Sequence, residues 1–238
     1  MKEIRTPFGA PMIKALLRKE APKRMTRRLV KDDIPAVWHA EPLDTAQWIQ
    51  TFPGAQPGDW LLQDKPGPLN DGLFQPIGPK YQVGDILVAI EAWRTKREWN
   101  VLSPSELDPK SPIWFEAAGE APREWDVGRY RHARFMPTWA SRIRRRIIAV
   151  HPERLQDIDE DDALAEGIEE RSVIIGANAD GGSHREITGT RYYFEGCDDE
   201  GFLSPISAFK ALWESIYGAG SWEQNRWVWV YEFEETQA

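Results

Sequence analysis

Val83-Gly84-Asp85-Ile86-Leu87-Val88-Ala89-Ile90-Glu91-Ala92-Trp93 reads as a glycine turn running straight into a strand without a polar face. A strand that is apolar at consecutive positions must be covered on both sides, so it belongs inside a sheet. Glu91 then falls at the end of a core strand, where a bare carboxylate is costly. It calls for a cationic or hydrogen-bonding partner, a place at a cavity mouth, or an exposed strand end.

Working outward, residues 2–8 suit a first strand, and Arg28-Leu29-Val30 looks extended. A short strand fits Ile113–Glu116 and a longer one Ile143–Val150. In the last strand Trp227, Trp229, Tyr231 and Phe233 alternate with Val228 and Val230, one set per face. Pro11–Glu20 carries Met12, Ile13, Leu16 and Leu17 at helical spacing, and Pro22 is expected to stop that helix. Asp159 can cap a short helix over residues 160–166 that Gly167 ends. Ser204-Pro205 opens the best helix, striped by Ile206, Phe209, Leu212, Trp213 and Ile216 and closed by Gly218. Residues 32–82 are rich in Pro and Gly and are expected to be mostly irregular, with one or two short strands. Residues 94–128 read as an elaborated loop, and 170–203 as a mobile insertion that is partly a hairpin. Strands outnumber helices and are scattered along the chain. The expected class is therefore α+β: a small mixed β-barrel with peripheral helices, one domain over residues 1–238 with those three insertions.

Composition narrows the function classes. The 238 residues are 41% hydrophobic and 29% charged, as a globular chain with a real core requires. No apolar run approaches the roughly 18 residues that span a bilayer, and MKEIRTPFGAPMIK lacks the apolar core of a secretory signal. Cys197 is the single cysteine, which rules out an intrachain disulfide and a cysteine-based zinc site. Cytoplasmic residence and no membrane partner are the expectations. The net charge of -8 hides two basic segments: residues 1–31 hold ten Lys/Arg against two acidic residues, and residues 129–154 hold eight arginines against one glutamate. Local basic surfaces on an acidic body suit selective phosphate binding, though solvated strands and turns also account for them. Most of the twelve tryptophans should be core.

Several chemistries are excluded. There is no Walker or dinucleotide glycine loop and no Gly-x-Ser-x-Gly elbow. His39, His132, His151 and His184 show no metal-ligand spacing. The acidic run Asp159–Asp162 lacks the glycine and spaced ligands of a calcium loop and fits the first turn of a helix. No metal and no cofactor are expected. What stands out is Lys23-Arg24-Met25-Thr26-Arg27-Arg28, a lysine, a hydroxyl and three arginines after a helix. It is either a solvated basic turn or the floor of a site for something anionic or nucleotide-like.

Pro11-Met12-Ile13-Lys14-Ala15-Leu16-Leu17 leading to Lys23-x-x-Thr26-Arg27-Arg28 resembles the opening of ASCH-domain proteins, a branch of the PUA-like superfamily. Gly84-Asp85 before a strand ending in Glu91-Ala92-Trp93 resembles their second signature. Met136-Pro137-x-Trp139-Ala140-Ser141-Arg142-Ile143, residues 153–158 and the end from Phe209 through Trp229 resemble phage and prophage members. The resemblance implies a PUA-like barrel with a cleft for RNA, DNA bases or modified nucleosides, in a phage- or prophage-encoded protein of a bacterial host. In the small N4-acetylcytidine amidohydrolases of this family it implies catalysis by a lysine, a threonine and a glutamate, matched here by Lys23, Thr26 and Glu91.

Those residue types suit the chemistry. Amide hydrolysis needs a nucleophile, a base and a donor to the leaving nitrogen. Thr26 Oγ would attack, and Lys23 would be its base if burial and neighbouring arginines lower its pKa. Glu91 would hold the base edge or shuttle a proton. Arg27, Arg28 and Arg142 would take a phosphate or polarise the carbonyl, with Ser141 beside them, and Trp93 or Trp139 would stack on a nucleobase. Three readings stay open: an N4-acylcytidine-type amidohydrolase, a non-catalytic reader of a modified base, and a phage accessory module.

Overall fold

The computed structural model describes residues 1–30, 39–42, 59–63, 74–121, 126–180, 183–197 and 200–236. In chain order its elements are β1 (Glu3–Pro7), α1 (Ala10–Leu16), β2 (Met25–Leu29), β3 (His39–Pro42), β4 (Trp60–Gln63), β5 (Phe74–Ile77), β6 (Ile86–Ile90), β7 (Trp93–Arg94), β8 (Trp114–Phe115), β9 (Arg144–Arg154), α2 (Glu160–Ala165), β10 (Glu169–Asp180), β11 (Ser183–Tyr193), α3 (Pro205–Tyr217) and β12 (Trp227–Glu235). The class is mixed α+β, rich in sheet and poor in helix. Among the described residues no helix is long and apolar enough to cross a membrane.

Five strands make the central sheet, in the order β1-β6-β9-β12-β2. Only β1 and β6 run parallel; the other neighbours are antiparallel. Every residue of β6 is buried, as its unbroken apolar run demands. The alternation in β12 sorts its side chains between two cores. Trp227, Trp229, Tyr231 and Phe233 pack with Ile13, Leu16, Leu87 and Ile147. Val228 and Val230 pack with Phe209, Leu212 and Trp213 of α3. That helix is opened by Ser204, whose Oγ accepts from Ser207 N–H, and closed by Gly218 at φ 95°.

The expected closed barrel is not formed. β1 and β2 are the two edges of the sheet, and no ladder joins them among the described residues. Pro7 has no N–H to donate at the end of β1. The gap is spanned by a side chain instead, with Arg28 Nη2 donating to Pro7 O at 3.2 Å. An open cleft between these edges is the feature that positions the candidate site.

The first helix also differs from expectation. It ends at Leu16 rather than running to Glu20. Ala21 takes a left-handed φ of 44°, and the chain turns back so that Lys23 N–H donates to Ala15 O at 3.0 Å. Capping by the returning chain, not the proline, sets the stop.

The described parts of the three insertions hold regular strands. The described parts of residues 32–82 include the antiparallel meander β3-β4-β5; the rest of that segment lies outside the described residues. Residues 94–128 hold β8 and most of its pairing with β7, and Leu107 joins Ile90, Trp93, Ala133 and Met136 in a third small core. Residues 129–135 form no strand; Arg131 makes one isolated bridge to Trp93. Residues 170–203 hold most of the long β10-β11 hairpin, with a register shift between Ile174 and Gly176.

Gly167 leads from α2 into β10 at φ +106°, where an added Cβ would lie 2.8 Å from Ala15 Cβ. The close approach of α1 to this turn thus needs both the missing side chain and the left-handed backbone. Gly167→Ala is expected to lower stability by about 1–3 kcal/mol, read as a fall in the urea midpoint at unchanged slope. A midpoint within error of wild type would show that α1 does not press on this turn.

Candidate functional site

β2 carries the basic cluster, and its alternation divides the residues between different surroundings. Lys23, just before the strand, is 1% exposed. Its Nζ is hydrogen-bonded and ion-paired to the Glu166 carboxylate and donates to Glu166 O at 2.5 Å. Burial pushes the Lys23 pKa down, Glu166 opposes that, and Arg28 and Arg27 reinforce it. Arg27 is 3% exposed and meets Glu153 at 2.7 Å, Asp162 at 2.5 Å and Glu166 at 3.4 Å. Burial alone lowers its pKa, but Glu166 and Glu153 outweigh that and the net direction is up. With three carboxylates around it, Arg27 is committed to joining β2, β9 and α2. It is not the free phosphate ligand expected of it.

Thr26, 4% exposed, pairs with Tyr231 in the ladder and borders a 40 Å³ cavity shared with Arg28, Glu166 and α3. Lys23 borders a different cavity of 440 Å³, with Arg24, Arg145, Asp162 and Glu232 on its walls. Glu91 lines neither. Its carboxylate is 2% exposed and takes both bonds of a bidentate pair from Arg142, Nε to Oε1 at 2.8 Å and Nη2 to Oε2 at 3.0 Å. The cation that Glu91 required is therefore Arg142, whose guanidinium also lies 4.3 Å from the Phe115 ring. The lysine, threonine and glutamate thus face three different sets of neighbours, and Lys23 and Glu91 hydrogen-bond to separate partners.

Ser141 Oγ donates to Ala89 O at 2.7 Å and Ile143 O at 3.1 Å, which fixes the turn that presents Arg142. Trp93 is fully buried and borders none of the cavities described for this chain, so its ring is a core element and not the stacking platform expected of it. Trp139 is half-buried against the same small core.

An aromatic-walled cleft lies between β1 and β2. It measures 520 Å³ and is lined in part by Thr6, Arg28, Lys80, Tyr81, Trp229 and Tyr231. Tyr81 and Tyr231 meet edge to face at 4.8 Å. Thr6 Oγ1 and Tyr81 Oη share a hydrogen bond, and Lys80 N–H donates to Tyr231 Oη at 3.1 Å. Burial pushes the Tyr231 phenol pKa up, so it stays protonated at neutral pH. Lys80 Nζ lies 5.1 Å from the Tyr81 ring, and Arg28 lies 4.8 Å from the Phe8 ring with its Nε buried and unpartnered. Two cations on the walls of this aromatic hollow, Arg28 and Lys80, can hold a planar group bearing negative charge.

Of the residues expected at the site, Arg28 alone borders this cleft. Tyr81, Lys80 and Thr6 gave no sign in the sequence. Trp229 and Tyr231 did, since the alternation of β12 already placed them on one face. Among the described residues no three His, Cys, Asp or Glu side chains gather in a way that could hold a metal. The geometry defines a sheet-rich α+β protein with an open, cationic, aromatic cleft at its sheet edges. No family model, no curated protein and no solved structure matches the chain.

Proposed function

We propose that this chain is an ASCH-type member of the PUA-like superfamily that binds a nucleobase together with its phosphate in the β1-β2 cleft. One observation carries the reading: a 520 Å³ cleft in which Tyr81, Tyr231 and Trp229 form a wall and Arg28 and Lys80 supply positive charge. That volume falls within the range of pockets that enclose small ligands. Tyr81 and Tyr231 are 1% exposed and Trp229 5%, so the base would meet only the small part of those rings that the cleft uncovers, and the phosphate would take the charge-assisted donors of Arg28 and Lys80. This is the modified-base reader among the readings of the sequence.

The amidohydrolase reading keeps one supporting observation: burial lowers the Lys23 pKa, as a general base requires. Its ammonium is engaged by Glu166, so turnover would need that pair to open.

Both readings are tested with cytidine 5′-monophosphate and N4-acetylcytidine 5′-monophosphate, following binding by tryptophan fluorescence and acetate by direct assay. Binding of both, at least tenfold weaker in Arg28→Ala, is the expected result. Acetate release abolished in Lys23→Met with binding retained would establish the hydrolase instead. Failure of every nucleoside monophosphate tested to bind would sink the cleft reading.

A further inference from the structure

The 40 Å³ cavity beside Thr26 has no part in the cleft reading. Arg27, Arg28 and Glu166 line it with Thr26, and Phe8 and Trp213 stand on its walls as well. Phe8 belongs to the core on one face of the central sheet and Trp213 to the core on the other. A hollow that touches both cores lies where the sheet ends, and β2 is the edge strand there.

The ladder fixes what that edge presents. Val30 N–H donates to Trp227 O at 3.1 Å, and Phe233 N–H donates to Arg24 O at 2.9 Å. In this register Thr26 and Arg28 exchange their backbone bonds with Tyr231 and Trp229, so Met25, Arg27 and Leu29 turn their N–H and C=O groups away from β12. No further strand pairs with them among the described residues. The peptide N–H of Arg27 is therefore a free donor on the side of β2 where the cavity lies.

Side chains on the walls add to it. Trp213 is 3% exposed, and its Nε1–H is buried without an acceptor. The Nε–H of Arg28 is likewise buried and unpartnered. Thr26 is 4% exposed, and its hydroxyl makes no hydrogen bond among the described residues. Of the three charged wall residues, Glu166 is paired with Lys23 and Arg27, which leaves Arg28 as the cation without a counter-charge. Three of these four groups can only donate. Buried donors with no acceptor are costly, so the cavity calls for oxygen atoms that accept. A water accepts two bonds and must place two hydrogens of its own, whereas a carboxylate accepts up to about four and places none.

Size and wall chemistry narrow the ligand further. One water needs roughly 10–15 Å³ of such space, so the cavity has room for about three heavy atoms, the size of a carboxylate end. Beyond the donors the wall is apolar, and Ile216, which is 54% exposed, marks the mouth at the end of α3. We infer that this notch binds a short aliphatic carboxylate. Its oxygens take the N–H groups of Arg27, Trp213 and Arg28 and the hydroxyl of Thr26, and its alkyl end lies between Phe8 and Ile216. Arg28 borders both this notch and the β1-β2 cleft, but the inference stands whether or not the cleft takes a nucleotide.

Propionate is the probe, and propionamide, of the same shape without the charge, is its control. Titrated into nitrogen-15-labelled protein at neutral pH, propionate is expected to move the Trp213 indole N–H resonance downfield in a saturable way. Propionamide should bind at least about tenfold more weakly, because a hydrogen bond to a charged group is the stronger one. Trp213→Phe keeps a ring in the core and identifies the resonance by its loss. Followed through the other shifted resonances, it should weaken propionate about tenfold and leave binding of cytidine 5′-monophosphate unchanged, since Trp213 does not border the cleft. Thr26→Val keeps the side-chain shape and should weaken propionate about threefold or more. If Trp213→Phe does not fold, Thr26→Val and the comparison of the two probes on the wild-type protein decide. The inference is overturned if a large excess of propionate leaves every indole resonance in place, which would mean that water alone fills the notch. It is also overturned if propionamide binds as well as propionate, or if both variants bind propionate as wild type does.

Discussion

Glu166→Ala lowers the stability of the protein by about 3–5 kcal/mol, the cost of stripping a buried cation of its partner. In a chain of this size that is a fall in melting temperature of roughly 6–20 °C. The Glu166 side chain is 4% exposed and serves two buried cations at once, Lys23 through one oxygen and Arg27 through the other. Arg27 keeps Glu153 and Asp162. Lys23 keeps only the backbone carbonyl of residue 166, so the damage concentrates there. Asp162→Ala is the matched control: its carboxylate is 28% exposed and shares Arg27 with two others, and its loss costs about 1 kcal/mol or less.

The pH dependence separates this account from simple loss of packing. Burial holds the Lys23 pKa below the usual 10.5. Between the lowered value and 10.5 the unfolded chain binds the proton that the folded chain has released, so stability rises with pH across that window. Below the folded value the penalty is present in full. Glu166 opposes the downward shift, so removing it opens the window at lower pH. Glu166→Ala should therefore recover more melting temperature than wild type between pH 7 and pH 9.5. A deficit that stays constant over that range would mean that Lys23 is not charged and unpaired in the variant.

The network also shows what pattern reading can and cannot reach. β6 and β12 were legible because their signals are local: an unbroken apolar run needs two covered faces, and strict alternation sorts side chains between two. The cap of α2 and both ends of α3 were legible for the same reason. Lys23 and Glu166 lie 143 positions apart, and nothing in either neighbourhood names the other. Arg27 and Arg28 are adjacent and look alike in the sequence, yet β-strand alternation sends one into a cage of carboxylates and the other to an open cleft. Open and closed sheets share the same strand patterns, which is why the barrel was expected and an open edge is found. The demand that Glu91 have a partner was readable from its place at the end of β6, but Arg142, which meets it, was assigned to phosphate instead.

That pair carries the other large effect, and it is asymmetric. Arg142→Ala is expected to cost about 3–5 kcal/mol, whereas Glu91→Ala costs about 1–2 kcal/mol. The Glu91 side chain is 2% exposed and receives both of its side-chain hydrogen bonds from Arg142; the Arg142 side chain is 29% exposed. Deleting the arginine strands a carboxylate in the protein, while deleting the glutamate releases a guanidinium that can turn to water and keep its contact with Phe115. In the double variant neither charge is left stranded, so its loss should fall well short of the sum of the two single losses. Equal single losses that add would show that the pair is solvated and contributes little. The same asymmetry governs any test of Glu91 as a catalytic group. Because Ser141 fixes the turn that presents Arg142 through the carbonyl of Ala89, two residues before Glu91, a loss of activity in Glu91→Ala alone would not separate chemistry from a displaced Arg142. Chemistry is indicated only if Glu91→Gln, which keeps a hydrogen-bonding partner for Arg142, loses turnover while melting within a few degrees of wild type.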